Sequence, residues 1–197
     1  MPEGKSVSTD AATESAVTVA LPQREVILGI DPGSRTTGYG VVAMTGPQLR
    51  YLGSGCINAG RGELSSRLHT IFQGVATLIG QFQPSVFAIE QAFLAKNVQS
   101  TVKLSEARAA AIVAAADAGL AVYEYTPMQI KQAVVGTGGA QKVQVQYMVK
   151  QILSLNGTPQ ADAADALACA ICHGFTARVT GALGLKTASA VHGRWRR

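Results

Sequence analysis

Four carboxylates stand where a folded chain has little structural use for them. Asp31 and Glu90 end two uncharged apolar runs, Val26–Ile30 and Val86–Ile89, while Asp162 and Asp165 open an alanine-rich segment three residues apart. An acid where a buried strand runs out is costly unless it is paired or bound to a cation. Taken alone, Asp31 reads equally well as a turn residue, because Pro32 and Gly33 follow it at once. Brought together, the four would raise one another's pKa unless a cation neutralised them. Mg²⁺ is the natural cation, since it takes hard oxygen ligands, needs few from the protein and completes its shell with water and substrate phosphate. Two such ions ~4 Å apart would activate a water and stabilise the leaving oxygen of an in-line phosphodiester displacement. Four carboxylates suit two shared ions, with Mn²⁺ as a substitute metal.

The elements that must position these acids follow from periodicity. Val26–Ile30 is short, bulky and β-preferring, as a strand buried on both faces would be. Strands over 38–43 and 49–57, with Thr45-Gly46-Pro47 as a turn, extend it into an antiparallel meander. From Leu64 to Phe82 apolar residues recur at three and four, the mark of an amphipathic helix that Pro84 ends. Strands over 86–90 and 121–125 flank a helix over about 100–118, and residues 91–97 form a loop. Helices are expected over 127–135 and 143–153, separated by the flexible Gly136-Thr137-Gly138-Gly139. A last helix begins near Gln160; its Ala164, Leu167, Ala168, Ile171 and Phe175 fall on one face. Asp162 and Asp165 lie near the opposite side, where Ala163, Ala166, Cys169 and Ala170 leave little bulk and invite close approach. The bland alternative is a pair of solvated acids in a helix's first turns, favoured by the helix dipole.

Composition sets the outer limits. The 197 residues, 47% hydrophobic and 15% charged, can fill one core, yet no uncharged apolar run attains the ~18 residues of a membrane span. Met1–Leu21 has neither a basic start nor an apolar stretch, and three cysteines are an odd count, so a cytoplasmic protein without a disulfide framework is expected. The net charge of +5 is uneven: residues 1–23 carry one Lys and three acids, whereas Arg178, Lys186, Arg194, Arg196 and Arg197 meet no acid after residue 175. We therefore read a disordered arm over 1–23, one globular domain over 24–177 and a basic mobile tail over 178–197. If the four acids sit in a metal site, the remaining surface is basic enough for a polyanionic partner.

Together the segments 27–35 (ILGIDPGSR), 37–40 (TGYG), 88–91 (AIEQ) and 160–168 (QADAADALA) resemble those of the RuvC Holliday-junction resolvases, over about residues 25–175. The resemblance implies an α/β, RNase H-like fold with a mixed five-stranded sheet flanked by helices. It implies a homodimeric endodeoxyribonuclease that nicks four-way DNA junctions symmetrically during recombination and repair, alongside a branch-migration helicase complex of the RuvA and RuvB type. It assigns Asp31, Glu90, Asp162 and Asp165 as catalytic, metal-holding acids. Phe93 matches an aromatic that enters the junction centre, and Lys131 and Lys142 match residues that hold phosphates near the cut. Lys96, and with it Lys103, Arg108 and Lys150, would extend that surface. A junction's two-fold symmetry independently suits an isologous dimer with one site per chain.

Other readings compete. Gly29-Ile30-Asp31-Pro32-Gly33-Ser34 also resembles the phosphate-binding opening of actin-like ATPases and sugar kinases, which need two such domains and leave Asp162 and Asp165 unexplained. A non-catalytic junction-binding module would tolerate Asp31→Asn. Cys169-Ala170-Ile171-Cys172-His173 spells a haem attachment site inside an otherwise apolar helix, and small buried thiols are the better reading. The Gly136–Gly139 stretch lacks the Lys-Ser/Thr ending of a phosphate-binding loop.

Overall fold

The computed structural model describes residues 24–91 and 98–182. Phe93 and Lys96 lie outside the described residues, as do the arm over 1–23 and residues 183–197. The first three strands, β1 (Arg24–Asp31), β2 (Thr36–Thr45) and β3 (Gln48–Asn58), form the antiparallel meander that the apolar runs and the Gly46 turn imply. Helix α1 (Leu64–Phe82) ends at Gln83, which adopts φ 46° and donates its N–H to the Ile79 carbonyl before Pro84. Next come β4 (Val86–Glu90), α2 (Val98–Asp117), β5 (Ala121–Tyr125), α3 (Pro127–Val135), α4 (Lys142–Ile152) and α5 (Ala161–Ala182). The sheet order is β3-β2-β1-β4-β5, with β1, β4 and β5 mutually parallel. This is the mixed five-stranded α/β architecture expected from the sequence.

Alternation along the strands creates two cores. Leu28, Ile30, Phe87 and Ile89 meet Ile71 and Val75 of α1 and Ala107 and Ala111 of α2. Ile27, Val86 and Ala88 meet Ile130 of α3, Val145 and Val149 of α4, and Leu167 and Ile171 of α5 on the other face. Full burial of each such Leu, Ile or Phe side chain contributes roughly 1.5–3 kcal/mol. Because Asp31 and Glu90 continue the alternation of Gly29 and Ala88, both project toward the face that carries α3, α4 and α5.

Helix α5 departs from the amphipathic expectation. Every residue from Ala163 to His173 except Asp165 is buried, so the helix has no free face over that stretch. Its small residues do not form an open acidic side. They lie against the sheet, where Gly29 abuts the Ala166 carbonyl and Ala170, and Gly40 abuts Leu167. The helix continues to Ala182, beyond residue 178, where composition alone suggests a tail. No helix among the described residues is long and apolar enough to cross a membrane.

Cys169, Cys172 and His173 are core residues, at most 2% exposed. The His173 ring bonds the Tyr125 hydroxyl through Nδ1 at 2.8 Å and lies 4.6 Å, centroid to centroid, from the tilted Tyr123 ring. Burial lowers the His173 pKa to about 4 and raises that of Cys172 to about 12.

Candidate active site

Strands β1 and β4 pair in parallel, and their last registered partners are Ile30 and Ile89. Asp31 and Glu90 are the next residues of each, so two carboxylates emerge side by side where adjacent strands end. The backbone after Asp31 is fixed by Thr37, a fully buried residue whose hydroxyl donates to the Gly33 carbonyl at 3.0 Å. Opposite Asp31 in the antiparallel register stands Gly38. A Cβ on Gly38 would fall inside the Asp162 backbone carbonyl, and one on Gly40 would lie 2.6 Å from the Leu167 nitrogen. These bare positions let the first turn of α5 rest directly on β2, which brings its two acids to the end of β1.

Two further helices close the site. Thr126 caps α3 by accepting from the Gln129 N–H at 3.1 Å, Gln129 returns a bond to the Thr126 N–H at 2.8 Å, and Pro127 fills the first turn. This capping box fixes the helix that carries Ile130 and Lys131. At α4 the Gln144 side chain accepts from the Gln141 N–H at 2.7 Å, which sets Lys142 at the helix's first position. Lys142 places its Nζ 2.9 Å from Asp165 Oδ2. Its side chain is 80% exposed and that of Asp165 only 18%, so the ammonium comes in from solvent to a carboxylate held by the fold.

Asp31, Glu90, Asp165, Lys131 and Lys142 thus line one cleft, walled by Pro127, Ile130 and Val145. Asp162 is not among its lining residues. It is half-buried one turn earlier on α5, against Gly38, and its charge still acts on Asp31. Burial, then the facing Glu90 and Asp165 carboxylates, push the Asp31 carboxyl up to about 8, with Asp162 adding to them and Lys142 opposing. Glu90 rises to about 7, by burial first and then Asp165, against Lys142 and Lys131. Lys142 itself is held above its ordinary value, chiefly by its bond to Asp165. Cys56, whose Sγ donates to Gln160 Oε1 at 3.5 Å, is raised by burial and by Asp162 and Asp31, so its thiol stays protonated beside the acids.

This donor set fits a hard divalent cation. Clustered, desolvated carboxylates with one close ammonium carry an unfavourable charge that such an ion relieves. Among the described residues no three acid, His or Cys side chains gather tightly enough to chelate an ion unaided.

Of the residues singled out from sequence, the cleft gathers Asp31, Glu90, Asp165, Lys131 and Lys142, with Asp162 adjoining. Arg108 turns out to be committed elsewhere: its guanidinium pairs with Glu124 at 2.6 Å and donates from Nε to the Glu90 carbonyl at 3.3 Å, so it buttresses the β4 end instead of offering a free cation. Gly38 and Gly40, which the sequence offers only as part of the TGYG motif, prove to be where α5 rests on β2; the signal for that role is the pairing of an every-second-residue glycine strand with an alanine-rich helix.

A family model described as crossover junction endodeoxyribonuclease RuvC matches residues 27–173. The chain belongs to the RuvC family. The RuvC of Vibrio parahaemolyticus is 60% identical over 171 residues, covering 87% of this chain and 99% of that protein, and a Vibrio cholerae RuvC is likewise 60% identical over 171 residues. Among solved structures, Thermus thermophilus RuvC in complex with a Holliday junction substrate is 38% identical, with a TM-score of 0.75 over 79% of this chain and 96% of that one. The yeast mitochondrial resolvase Ydc2, 16% identical with a TM-score of 0.61, shares the fold. Family membership removes the kinase-like reading of the Gly29–Ser34 segment and makes the chain an endodeoxyribonuclease.

Proposed function

We propose that this RuvC-family chain resolves four-way DNA junctions by hydrolysing phosphodiesters at the cleft of Asp31, Glu90, Asp162 and Asp165, with Mg²⁺ as cofactor. The observation that carries this reading is the emergence of Asp31 and Glu90 at the ends of adjacent parallel strands, opposite Asp165 and Lys142 in one cleft. When bound between these acids, Mg²⁺ supplies a Lewis acid that lowers the pKa of water and offsets charge on the leaving oxygen. The protein's own part is to position and to manage protons. Asp31, raised by burial and then by Glu90 and Asp165, and Glu90, raised by burial and then by Asp165, are biased toward their protonated forms, and a cation held by their oxygens would favour the ionised ones. Asp31 would be the central ligand, because the charges of Glu90, Asp165 and Asp162 all act on it. Lys142 pairs with Asp165 in the cleft; were Asp165 to hold a cation instead, the exposed ammonium would be available to a phosphate oxygen of the strand being cut. Lys131, facing Glu90 from α3, supplies a second phosphate contact.

The chain works as an isologous homodimer, since two matched cuts are needed to part a junction into duplexes. Phe93 stacks on unpaired bases at the junction centre and Lys96 holds backbone beside it. Branch migration by a RuvA and RuvB type complex delivers the junction. The test compares synthetic four-way, three-way and linear duplex DNA in Mg²⁺, in Mn²⁺ and in chelator. Four-way DNA alone should be cut at paired positions, in either metal and not in chelator; equal cutting of linear duplex, or cutting in chelator, would refute the proposal.

A further inference from the structure

The turn that follows Asp31 borders a second cleft. Ser34 and Arg35 of that turn, Arg61 before α1, Arg67 within α1, and Ser100 and Lys103 of α2 line it. Three segments distant in sequence thus bring four cations to one place, with no carboxylate among the lining residues. The ion pairs of the described residues lie elsewhere, between Arg108 and Glu124 and between Lys142 and Asp165. The arrangement is built. Arg67 Nη1 donates to the Ser34 carbonyl at 2.8 Å, and the Ala59 and Gly60 N–H groups both donate to the Arg35 carbonyl, at 2.8 and 3.2 Å. Gly60 adopts φ 69°, a turn that sets Arg61 beside Arg35. The Nε of Arg67 is buried without a hydrogen-bond partner among the described residues.

Four like charges in one cleft repel one another, and guanidinium groups cannot discharge to escape it. The relief open to them is an anion, and a fork of N–H donors suits phosphate. The position of the cleft selects which phosphate. Ser34 follows Asp31 by three residues, a reach of at most about 11 Å and on the order of three nucleotide steps. We propose that Arg35, Arg61, Arg67 and Lys103 form a second phosphate-holding site, which takes the DNA backbone as it leaves the carboxylate cleft around the β1–β2 turn. The site rests on the nuclease reading above and deepens it: it grips the junction independently of base sequence and holds the strand in register for the cut.

The test uses Arg61→Ala/Lys103→Ala, since both side chains are exposed. Its control is Arg24→Ala/Arg50→Ala, an equal charge loss at exposed positions near the opposite end of the β1–β2–β3 meander. Binding of a fluorescent four-way junction is measured by anisotropy across a KCl series in chelator, and melting by circular dichroism establishes that each variant is folded. The cleft variant should lose about one to two units of the slope of log K against log [KCl] and bind roughly 10–100-fold more weakly at physiological salt. It should still cut the junction in Mg²⁺ when protein is saturating. The control should keep the slope of the unsubstituted chain. An unchanged slope in the cleft variant, or an equal drop in the control, would overturn this site while leaving the nuclease intact. Failure of the unsubstituted chain to bind or cut the junction would overturn the nuclease reading itself.

Discussion

Replacing Gly38 by alanine should cost catalysis far more than it costs the fold. The added methyl would overlap the Asp162 carbonyl and approach its Cβ to 3.2 Å. Both are parts of the α5 first turn, not the ends of flexible side chains, so the turn itself must retreat, by about 1 Å or more, to regain ordinary van der Waals separation. Overpacking of this kind costs about 1–3 kcal/mol. For a domain of this size that is roughly 2–12 °C in melting temperature. The same displacement moves Asp162 and Asp165 away from Asp31 and Glu90, and a 1 Å misplacement of reacting groups can cost about 100-fold in rate. The assay is single-turnover cleavage of a four-way junction at saturating protein and Mg²⁺, beside a thermal melt and a binding isotherm. The expected result is a folded protein that binds the junction normally and cuts it about 100-fold more slowly. A folded Gly38→Ala protein that cuts at the unsubstituted rate would refute the claim that the bare β2 position sets the acid geometry.

The remaining expectations concern charge and the core. In chelator, the melting temperature should fall as pH rises from 6.5 to 8.5, because Asp31 and Glu90 keep protons in the folded state, to about 8 and about 7, that the unfolded chain has already lost; Mg²⁺ should stabilise most at the high end, and a flat profile in chelator would contradict the repulsion described. Below pH 6.5 the buried neutral His173 opposes this trend, since the unfolded chain gains its proton first; it offsets about one of the two protons that Asp31 and Glu90 retain, so the gain in stability on acidification becomes shallower without changing sign. Lys142→Ala should leave urea stability within about 0.5 kcal/mol, as an ion pair with one exposed partner contributes little, yet lower the cleavage rate about 100-fold; equal losses in both would mean a structural role. His173→Ala leaves the Tyr125 hydroxyl unpaired and a cavity behind, which should cost about 2–4 kcal/mol in urea titration while cleavage by the folded fraction persists.

Much of this was legible in the chain because local pattern and tertiary environment agree. Val26–Ile30, the Thr45-Gly46-Pro47 break and the Leu64–Phe82 period each specify one element, and the structure forms all three. Asp31 and Glu90 could be found because an acid ending an apolar run is conspicuous. Helix α5 misled because alanine is compatible with either an open or a covered face; only the glycines of β1 and β2, far off in sequence, decide that its lean side is covered. Arg108 misled for a similar reason, as its partner Glu124 lies on the next strand and no local signal joins them. The cations of the second cleft were unreadable as a group, because three loops and helices have to meet before they share a surface.

Asp31 either takes part in the reaction or only ends a strand. The direct measurement is Asp31→Asn, with junction binding by anisotropy and Mg²⁺-dependent junction cleavage determined on the same preparation. Binding within about twofold of the unsubstituted chain, a melting temperature in chelator at pH 8.5 that is unchanged or raised, and cleavage reduced by at least 100-fold are the predicted results. An Asp31→Asn protein that still cuts the four-way junction at the unsubstituted rate in Mg²⁺ would mean that Asp31 only ends a strand and takes no part in the reaction.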